Sequence, residues 1–318
     1  MKRLWLIIFC IGAICSIELA GSVVFYRMVY AQDPAFPVRV ETASIRIEAI
    51  DTLYERRINI TVSSRLTDEV VFILRTLPNV QAVTIQGVFV NDVVNDIDIM
   101  QLTWLPDLRE IHLRCGSKIT DAGMQALTSF KKLESLTIAG NFSEAGFASL
   151  GKLGQLRELN LTLNTPVITG QELAVLEKLP ELRKLTLDIS NTEAKPDQRM
   201  LSDTVFSQLQ NLNNLEELTI NCDGFTGSGL SHLSKLKSLR KLTLRSRSYI
   251  LPVPRFSHLA DLPQLTDLAI HGPLVDDTTI ESLKTLQQLK SLDLRWTKVS
   301  ASEVGRLERA LSGCAIKR

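Results

Sequence analysis

Histidine, aromatic residues and net charge are all scarce in this 318-residue chain. It contains four histidines, its aromatic content is 6%, and 36 lysines and arginines almost balance 35 aspartates and glutamates. Because the net charge is +1, the molecule has no overall electrostatic field that would attract a polyanion. We therefore expect no nucleic-acid partner.

Sequence signatures of catalysis and of metal binding are also missing. The chain has no glycine-rich phosphate loop, no CxxC pair, no HExxH and no GxSxG. Its acidic residues form no pair whose surroundings would separate two pKa values, as acid–base catalysis requires. The sequence thus predicts a protein that is not an enzyme, with no catalytic residue, no metal site and no cofactor.

Aliphatic residues, by contrast, recur at regular positions. The phrase LxxLxL, read with leucine-class residues, occurs nine times. Its best copies open at Leu156, Leu182, Leu239 and Leu289, and weaker copies open at Val80, Leu108, Leu133, Leu215 and Leu265. Successive openings are 23 to 33 residues apart, in or near the period of a solenoid built from strands and helices. One unit cannot bury its own apolar face, so we predict a single stacked α/β solenoid of about 10 repeats.

A second pattern lies between these phrases, in which a polar residue precedes an apolar face at helical spacing that ends in leucine. The polar residues are Thr120, Ser202, Asp276 and Ser300. Their side-chain oxygens can accept hydrogen bonds from the free amides of a first helical turn. Each repeat is therefore predicted to run strand, turn, capped helix, turn. The curved parallel sheet would form the concave side and the helices the convex side.

Together, the LxxLxL phrases and the Thr120-Asp-Ala-Gly-Met124 type of helix opening resemble leucine-rich-repeat proteins of bacteria. The similarity is to the branch with ribonuclease-inhibitor-like and cysteine-containing-like repeats, and it covers about residues 58–316. An asparagine ladder is mostly absent, since only Asn141 and Asn164 occupy its place. The resemblance implies a scaffold for protein interactions and does not name the partner.

The N-terminus differs from the repeats in its hydropathy. Lys2 and Arg3 precede an uncharged stretch over residues 4–17, and a second apolar stretch follows Glu18. Two interpretations are open, namely a signal peptide cleaved after Ala31 or an uncleaved transmembrane helix over residues 4–26. Both predict export, with the repeats periplasmic or otherwise extracytoplasmic, secreted or anchored to the membrane.

These patterns give the predicted organisation of the chain. Residues 1–31 form the signal peptide or N-terminal membrane anchor, residues 32–56 a spacer and N-terminal cap, and residues 57–318 the leucine-rich-repeat domain with a C-terminal capping half-repeat.

Residues between the strand leucines should face solvent on the concave wall, because side chains alternate along a strand. Six acidic and five basic residues occupy these positions. Such a balance suits a protein partner of mixed charge better than a polyanion. Aromatic anchors are nearly missing, with Trp296 and Tyr249 as the candidates just beyond strand ends. The predicted protein-binding residues are His112, Arg114, Asn160, Lys184, Thr186, Asp188, Glu217, Lys241, Arg245, His271, Asp293 and Arg295.

A basic fringe supports an alternative function. Its members follow the first leucine of a phrase, and they are Arg109, Arg157, Arg183, Arg240 and Lys290. An exported protein could use such a fringe to bind anionic glycans or lipid headgroups of an envelope. Glu134 and Glu216, however, interrupt the fringe with negative charge. The leading hypothesis is therefore a scaffold that binds a protein partner on its concave face.

Overall fold

The computed structural model describes residues 9–11, 14–19, 22–27, 38–41, 45–51, 56–62, 66, 71, 74, 80–85, 94–113, 117–163, 170–189, 203–222, 227–246, 256–273 and 275–318. Within these ranges the strands are β1 Phe9–Ile11, β2 Ile14–Leu19, β3 Ser22–Arg27, β4 Val38–Glu41, β5 Ile45–Asp51, β6 Arg56–Val62, β7 Val80–Ile85, β8 Val94–Asn95, β9 Glu110–Leu113, β10 Ser117–Lys118, β11 Ser135–Gly140, β12 Glu158–Leu163, β13 Lys184–Asp188, β14 Glu217–Cys222, β15 Lys241–Ser246, β16 Asp267–His271, β17 Ser291–Asp293 and β18 Ala315–Lys317.

The helices lie between the strands of the repeats. The α-helices are α1 Asp96–Leu102, α2 Asp121–Leu127, α3 Glu144–Leu150, α4 Asp203–Leu209, α5 Gly227–Leu233, α6 Ile280–Leu283 and α7 Ala301–Ala310. Three further segments within the described ranges form 3-10 helices, and they are Gln171–Lys178, Phe256–Asp261 and Asp277–Thr279.

One sheet organises the repeats. Thirteen described strands hydrogen-bond in the order β18, β17, β16, β15, β14, β13, β12, β11, β9, β7, β6, β5, β4. All neighbours from β6 to β18 are parallel, whereas β4, β5 and β6 pair antiparallel. This architecture confirms the predicted α/β solenoid, with a curved parallel sheet on the concave side and helices on the convex side. The last strand, β18, lies at the C-terminal end, where a capping half-repeat was predicted.

The strand leucines stack in register from one repeat to the next. Leu159 pairs with Leu185, and the same column continues through Leu218, Leu242 and Leu268. These side chains are buried in a core that runs continuously from Leu66 to Leu311 in the described residues. Full burial of one such aliphatic side chain contributes roughly 1.5–3 kcal/mol, so the stack gains stability with each added repeat.

The predicted helix caps are confirmed where the structure describes them. Thr120 accepts from the amide of Ala122 at 3.3 Å, and Ser300 accepts from the amide of Glu303 at 3.4 Å. Asp276 also caps, but the turn that follows is a 3-10 helix rather than the expected start of an α-helix. Its carbonyl accepts the hydroxyl of Thr279, three residues on, and such short local bonds compete with α-helical pairing. Ser202 lies outside the described residues.

Adjacent repeats are also joined by a carboxylate that the sequence analysis did not predict. Asp96, in the first turn of α1, accepts from the amide of Thr120 at 2.8 Å and from its hydroxyl at 2.6 Å. Asp121, in the first turn of α2, binds the amide and hydroxyl of Ser143 in the same way. Each aspartate thus fixes the N-cap of the next helix, and its negative charge suits the positive end of two helix dipoles.

Two glycines make room for these carboxylates. A Cβ added at Gly146 would lie 2.3 Å from Oδ1 of Asp121, and one added at Gly123 would lie 2.4 Å from Oδ1 of Asp96. Real side chains do not approach so closely, so any larger residue would force the aspartate out of its place. The glycine in the helix opening is therefore a packing requirement of the preceding repeat.

The N-terminal segment contains strands where one of the two interpretations placed a transmembrane helix. Strands β1, β2 and β3 form an antiparallel sheet within the range expected to be a transmembrane helix. Among the described residues, no helix is both long and apolar enough to cross a bilayer. The interpretation of residues 4–26 as a transmembrane helix therefore finds no support in the structure.

Gly146→Ala is expected to destabilise the protein by about 1 to 3 kcal/mol, because the new methyl group collides with the Asp121 carboxylate. Gly305→Ala is the matched control, since Gly305 lies within α7 and a Cβ there meets nothing within 4 Å. The control should gain up to about 1 kcal/mol from the higher helix propensity of alanine. Urea unfolding followed by circular dichroism measures both changes.

A double variant isolates the collision. If contact with the carboxylate is the cause, Gly146→Ala should cost less in an Asp121→Ala background than in the wild-type protein. An equal cost in both backgrounds would contradict this explanation.

Candidate functional site

The concave wall consists of the side chains that alternate with the buried strand leucines. Strand register arranges them in three columns. The first column contains Glu158, Lys184, Glu217, Lys241 and Asp267 on successive strands; the middle column contains Asn160, Thr186, Thr219, Thr243 and Ala269; the third contains Thr162, Asp188, Asn221, Arg245 and His271. The predicted alternation therefore arranges the outward residues in columns on the sheet.

Charges alternate along the first column and pair across strands. The Nζ atom of Lys184 lies 3.2 Å from Oε1 of Glu217, and that of Lys241 lies 3.9 Å from Oε2 of the same residue. The hydrogen bond from Lys184 to Glu217 raises the pKa of this lysine, so its side chain is positively charged at neutral pH. About half of each lysine side chain is exposed, and such pairs contribute only about 0–1 kcal/mol.

The other predicted residues of the N-terminal and central strands make local contacts. His112 meets the hydroxyl of Thr137 at 2.9 Å through Nδ1, and its Nε2 lies 3.6 Å from Glu110. Asp188 accepts from the amide of Asn221 at 3.1 Å across the third column. Asn160 and Thr186 are half-buried between their neighbours. Arg114 lies outside the described residues, as does Tyr249.

Four predicted residues meet at the C-terminal end of the wall, around an aromatic ring. We call Arg245, His271, Asp293, Arg295 and Trp296 the tryptophan cluster. The guanidinium of Arg295 donates from Nε and Nη2 to both carboxylate oxygens of Asp293, the shortest contact being 2.6 Å. The same guanidinium lies over the Trp296 ring, 5.3 Å from its centroid. The His271 ring meets Trp296 edge to face at 4.9 Å between centroids.

His271 supports the cluster rather than offering a contact surface. Its side chain is only 7% exposed, although the sequence analysis placed it among the binding residues. Nδ1 accepts a long hydrogen bond of 3.4 Å from Nε of Arg245, so the ring proton belongs on Nε2, 3.3 Å from Oδ1 of Asp293. Burial lowers the pKa of His271 and keeps the ring neutral, which outweighs the attraction of the Asp293 carboxylate for a proton.

Trp296 is a surface residue that the predicted binding set omitted. It is 72% exposed and lies three residues after Asp293, the last residue of β17. The sequence signalled it only as an aromatic residue just beyond a strand. Its contacts with Arg295 and His271 could not be found from spacing, because they depend on the turn that the backbone makes there.

Comparison with known proteins agrees with this architecture. A family model described as a leucine-rich repeat region matches residues 150–313, just over half of the chain. The chain belongs to the leucine-rich-repeat family. A comparison with curated proteins finds no match.

Solved structures of other proteins are similar to this chain at low identity. An internalin from Listeria monocytogenes is 18% identical, with 82% of this chain and 79% of that chain covered and a TM-score of 0.43. A leucine-rich-repeat protein from Leptospira interrogans is 15% identical, with coverage of 80% and 86% and a TM-score of 0.27. TLR13, solved in a complex with ssRNA13, is 19% identical, with coverage of 76% and 36% and a TM-score of 0.50. At such identities the similarity concerns the fold alone.

The basic fringe of these leucine-rich repeats is largely neutralised. Arg109 forms an ion pair with Glu134, and Arg157 lies 3.8 Å from the same glutamate. Arg183 pairs with Glu216 at 3.0 Å. The carboxylates that interrupt the fringe in the sequence therefore bind its guanidinium groups. This pairing disfavours the alternative function, in which the fringe would hold anionic glycans or lipid headgroups.

Acid should remove the contribution of Asp293 to stability. Hydrogen bonds from Arg295 lower the pKa of Asp293 to about 2 from an ordinary value of 3.8. The ionised carboxylate therefore contributes stability that is fully present above 3.8 and is lost as the pH falls towards about 2. Asp293→Asn should lower the free energy of unfolding by on the order of 1 kcal/mol at neutral pH, the upper range for a surface pair. In urea unfolding, the difference should shrink below pH 3.8.

Asp267→Asn is the control for loss of a carboxylate from the same wall. Asp267 accepts from the Thr266 hydroxyl at 2.7 Å and pairs with no guanidinium among the described residues, so the control should have the smaller effect. If the loss of unfolding free energy in Asp293→Asn persists unchanged in acid, the ionised Asp293 carboxylate is not the source of the stability.

Proposed function

We propose that this protein is a non-catalytic recognition or scaffold protein that binds another protein along its concave wall. Leucine-rich-repeat folds commonly mediate protein binding. The wall here displays carboxylate, ammonium, guanidinium and hydroxyl groups side by side over many strands. A protein partner offers complementary groups of both signs, whereas a polyanion would be repelled by the carboxylates.

The observation that carries this proposal is the alternation of charge in the first column, above all Lys184, Glu217 and Lys241. Their ion pairs are half exposed and weak, so a partner can replace them with contacts of its own at little cost in free energy. Alternating charge also gives specificity, because a partner shifted by one strand would place like charges opposite each other.

We also propose that the repeats belong to the bacterial branch with ribonuclease-inhibitor-like and cysteine-containing-like repeats. Support comes from the helix opening around Thr120, where the aspartate at position 121 and the glycine at position 123 have separate packing roles.

Substituting glutamine at Lys184, Lys241 and Arg245 together is expected to reduce recovery of crosslinked protein partners from native membranes by about 10-fold. A tenfold loss corresponds to about 1.4 kcal/mol of binding free energy, which is a modest contribution from three charged contacts. The measurement is quantitative mass spectrometry of proteins crosslinked to the purified full chain.

The matched control is a glutamine triple variant at Lys152, Lys178 and Lys235. These lysines are exposed and lie in or just after the helices. Replacing them with glutamine removes the same net charge as the first triple variant does. This control should recover partners as the wild type does. If both triple variants recover partners equally well, the concave wall has no role in binding.

We propose further that the protein is exported across a cytoplasmic membrane, either released by cleavage after Ala31 or retained by its N-terminal segment. Support comes from Lys2 and Arg3, which precede the uncharged residues 4–17, as in export signals.

Intact-mass measurement of the exported protein should give one of two results. Cleavage would yield a chain that starts at Gln32, and retention would yield the whole chain in the membrane fraction. Recovery of the whole chain with the cytoplasmic proteins would contradict export.

A further inference from the structure

Trp296 combines exposure with an unfavourable backbone conformation. Its φ angle is +63°, and it is the one residue other than glycine in the described part of the chain with a positive φ. A side chain with a Cβ adopts this left-handed region at a cost in free energy, whereas glycine adopts it freely. Strain of this kind persists mainly where the side chain has a function. A largely exposed indole gains too little from burial to explain the strain.

The contacts of the tryptophan cluster fix the orientation of the ring. The guanidinium of Arg295 lies over the Trp296 ring, and both carboxylate oxygens of Asp293 accept hydrogen bonds from that guanidinium. His271 holds the ring from the side, at an interplanar angle of 85°. A ring that is already ordered loses little conformational entropy on binding, so its contacts convert efficiently into affinity. Tryptophan and arginine are also the residue types that dominate interface hot spots.

Charge on the concave wall is segregated along its length, although it balances overall. On the wall strands β9 and β11 to β14, the described outward positions carry four carboxylates and one ammonium group. The carboxylates are Glu110, Glu158, Asp188 and Glu217, and the ammonium group is that of Lys184. The described outward positions of β15 to β18, with the turn after β17, carry four cations and two carboxylates. The cations are Lys241, Arg245, Arg295 and Lys317, and the carboxylates are Asp267 and Asp293. The C-terminal end of the wall is therefore the basic end.

Arg245 is the cation of this end with most capacity to bind. It is exposed, and in the described residues the one hydrogen bond that its side chain makes is the long contact from Nε to His271. Arg295, by comparison, is committed to Asp293. The remaining guanidinium donors of Arg245 can bind a carboxylate of a partner in the two-pronged manner that arginine favours.

We propose that the tryptophan cluster anchors the partner and receives a protein segment in which acidic side chains flank an aromatic or aliphatic one. This assignment rests on the protein-binding function proposed above and gives it a location and a partner chemistry. The apolar side chain packs on the Trp296 ring, and a carboxylate binds Arg245. The acidic end of the wall orients the segment, because it repels carboxylates and leaves the C-terminal end as their favourable position.

The test uses three short fluorescein-labelled peptides and the purified full chain. One peptide is rich in glutamate with a central phenylalanine, the second replaces each glutamate with lysine, and the third replaces the phenylalanine with serine. Fluorescence anisotropy is expected to show that the first peptide binds at least about 10-fold more tightly than either of the others. Stronger binding of the lysine peptide, or no binding of the glutamate peptide, would overturn the proposal.

Variants locate the binding of the first peptide. Trp296→Ala should weaken it about 30-fold, the effect of losing a hot-spot tryptophan. Trp296→Gly should weaken it equally while relieving the backbone, so a loss of binding in this variant cannot come from a strained turn. Trp104→Ala is the control, because Trp104 is the other described tryptophan with a largely exposed ring and lies outside the wall. It should leave the affinity unchanged.

The outcomes separate this proposal from the broader function. Unchanged affinity in both Trp296 variants overturns the anchor. If native partners are nevertheless lost when Lys184, Lys241 and Arg245 are all replaced by glutamine, the wall still binds proteins and only the anchor is wrong. If neither set of variants has an effect, both the anchor and the concave-wall function fail.

Discussion

The structure depends on a constraint of geometry, namely that a single strand and helix cannot enclose the leucines they carry. Each repeat covers the open face of its neighbour, and the in-register column from Leu159 to Leu268 is the visible result. Because successive repeats stack in the same orientation, their strands are parallel and lie side by side. Their outward residues then form ordered columns whether or not a function needs them. The concave wall is thus a consequence of how the core is built.

Most of the fold could be predicted from the sequence, because aliphatic spacing determines both the repeat and its register. The caps at Thr120 and Ser300 were also predictable, since a hydroxyl before an apolar helical face has one main structural role. The aspartate that joins neighbouring repeats was not, because its partners are 22 to 24 residues away and spacing does not reveal a contact. The N-terminal strands were missed since apolar content alone does not separate strand from helix.

The candidate site was predictable as a surface but not as a set of contacts. Alternation placed Lys184, Glu217 and Lys241 on the same column, and the strand register confirms that placement. Alternation also placed His271 outside, where the fold instead buries it, in edge-to-face contact with the Trp296 ring. That contact depends on the left-handed conformation of Trp296 after β17, which no pattern of residue types predicts when the residue is not glycine.

The pairing of Asp121 with Gly146 limits how the repeats of this chain can be rearranged. The repeat that supplies Asp121 is compatible only with a successor that has no side chain at position 146. Moving a repeat elsewhere in the order would separate the two halves of that fit. Stacking therefore fixes the order of these two repeats. Any duplication or shuffling of repeats, in evolution or in engineering, must move Asp121 and Gly146 together.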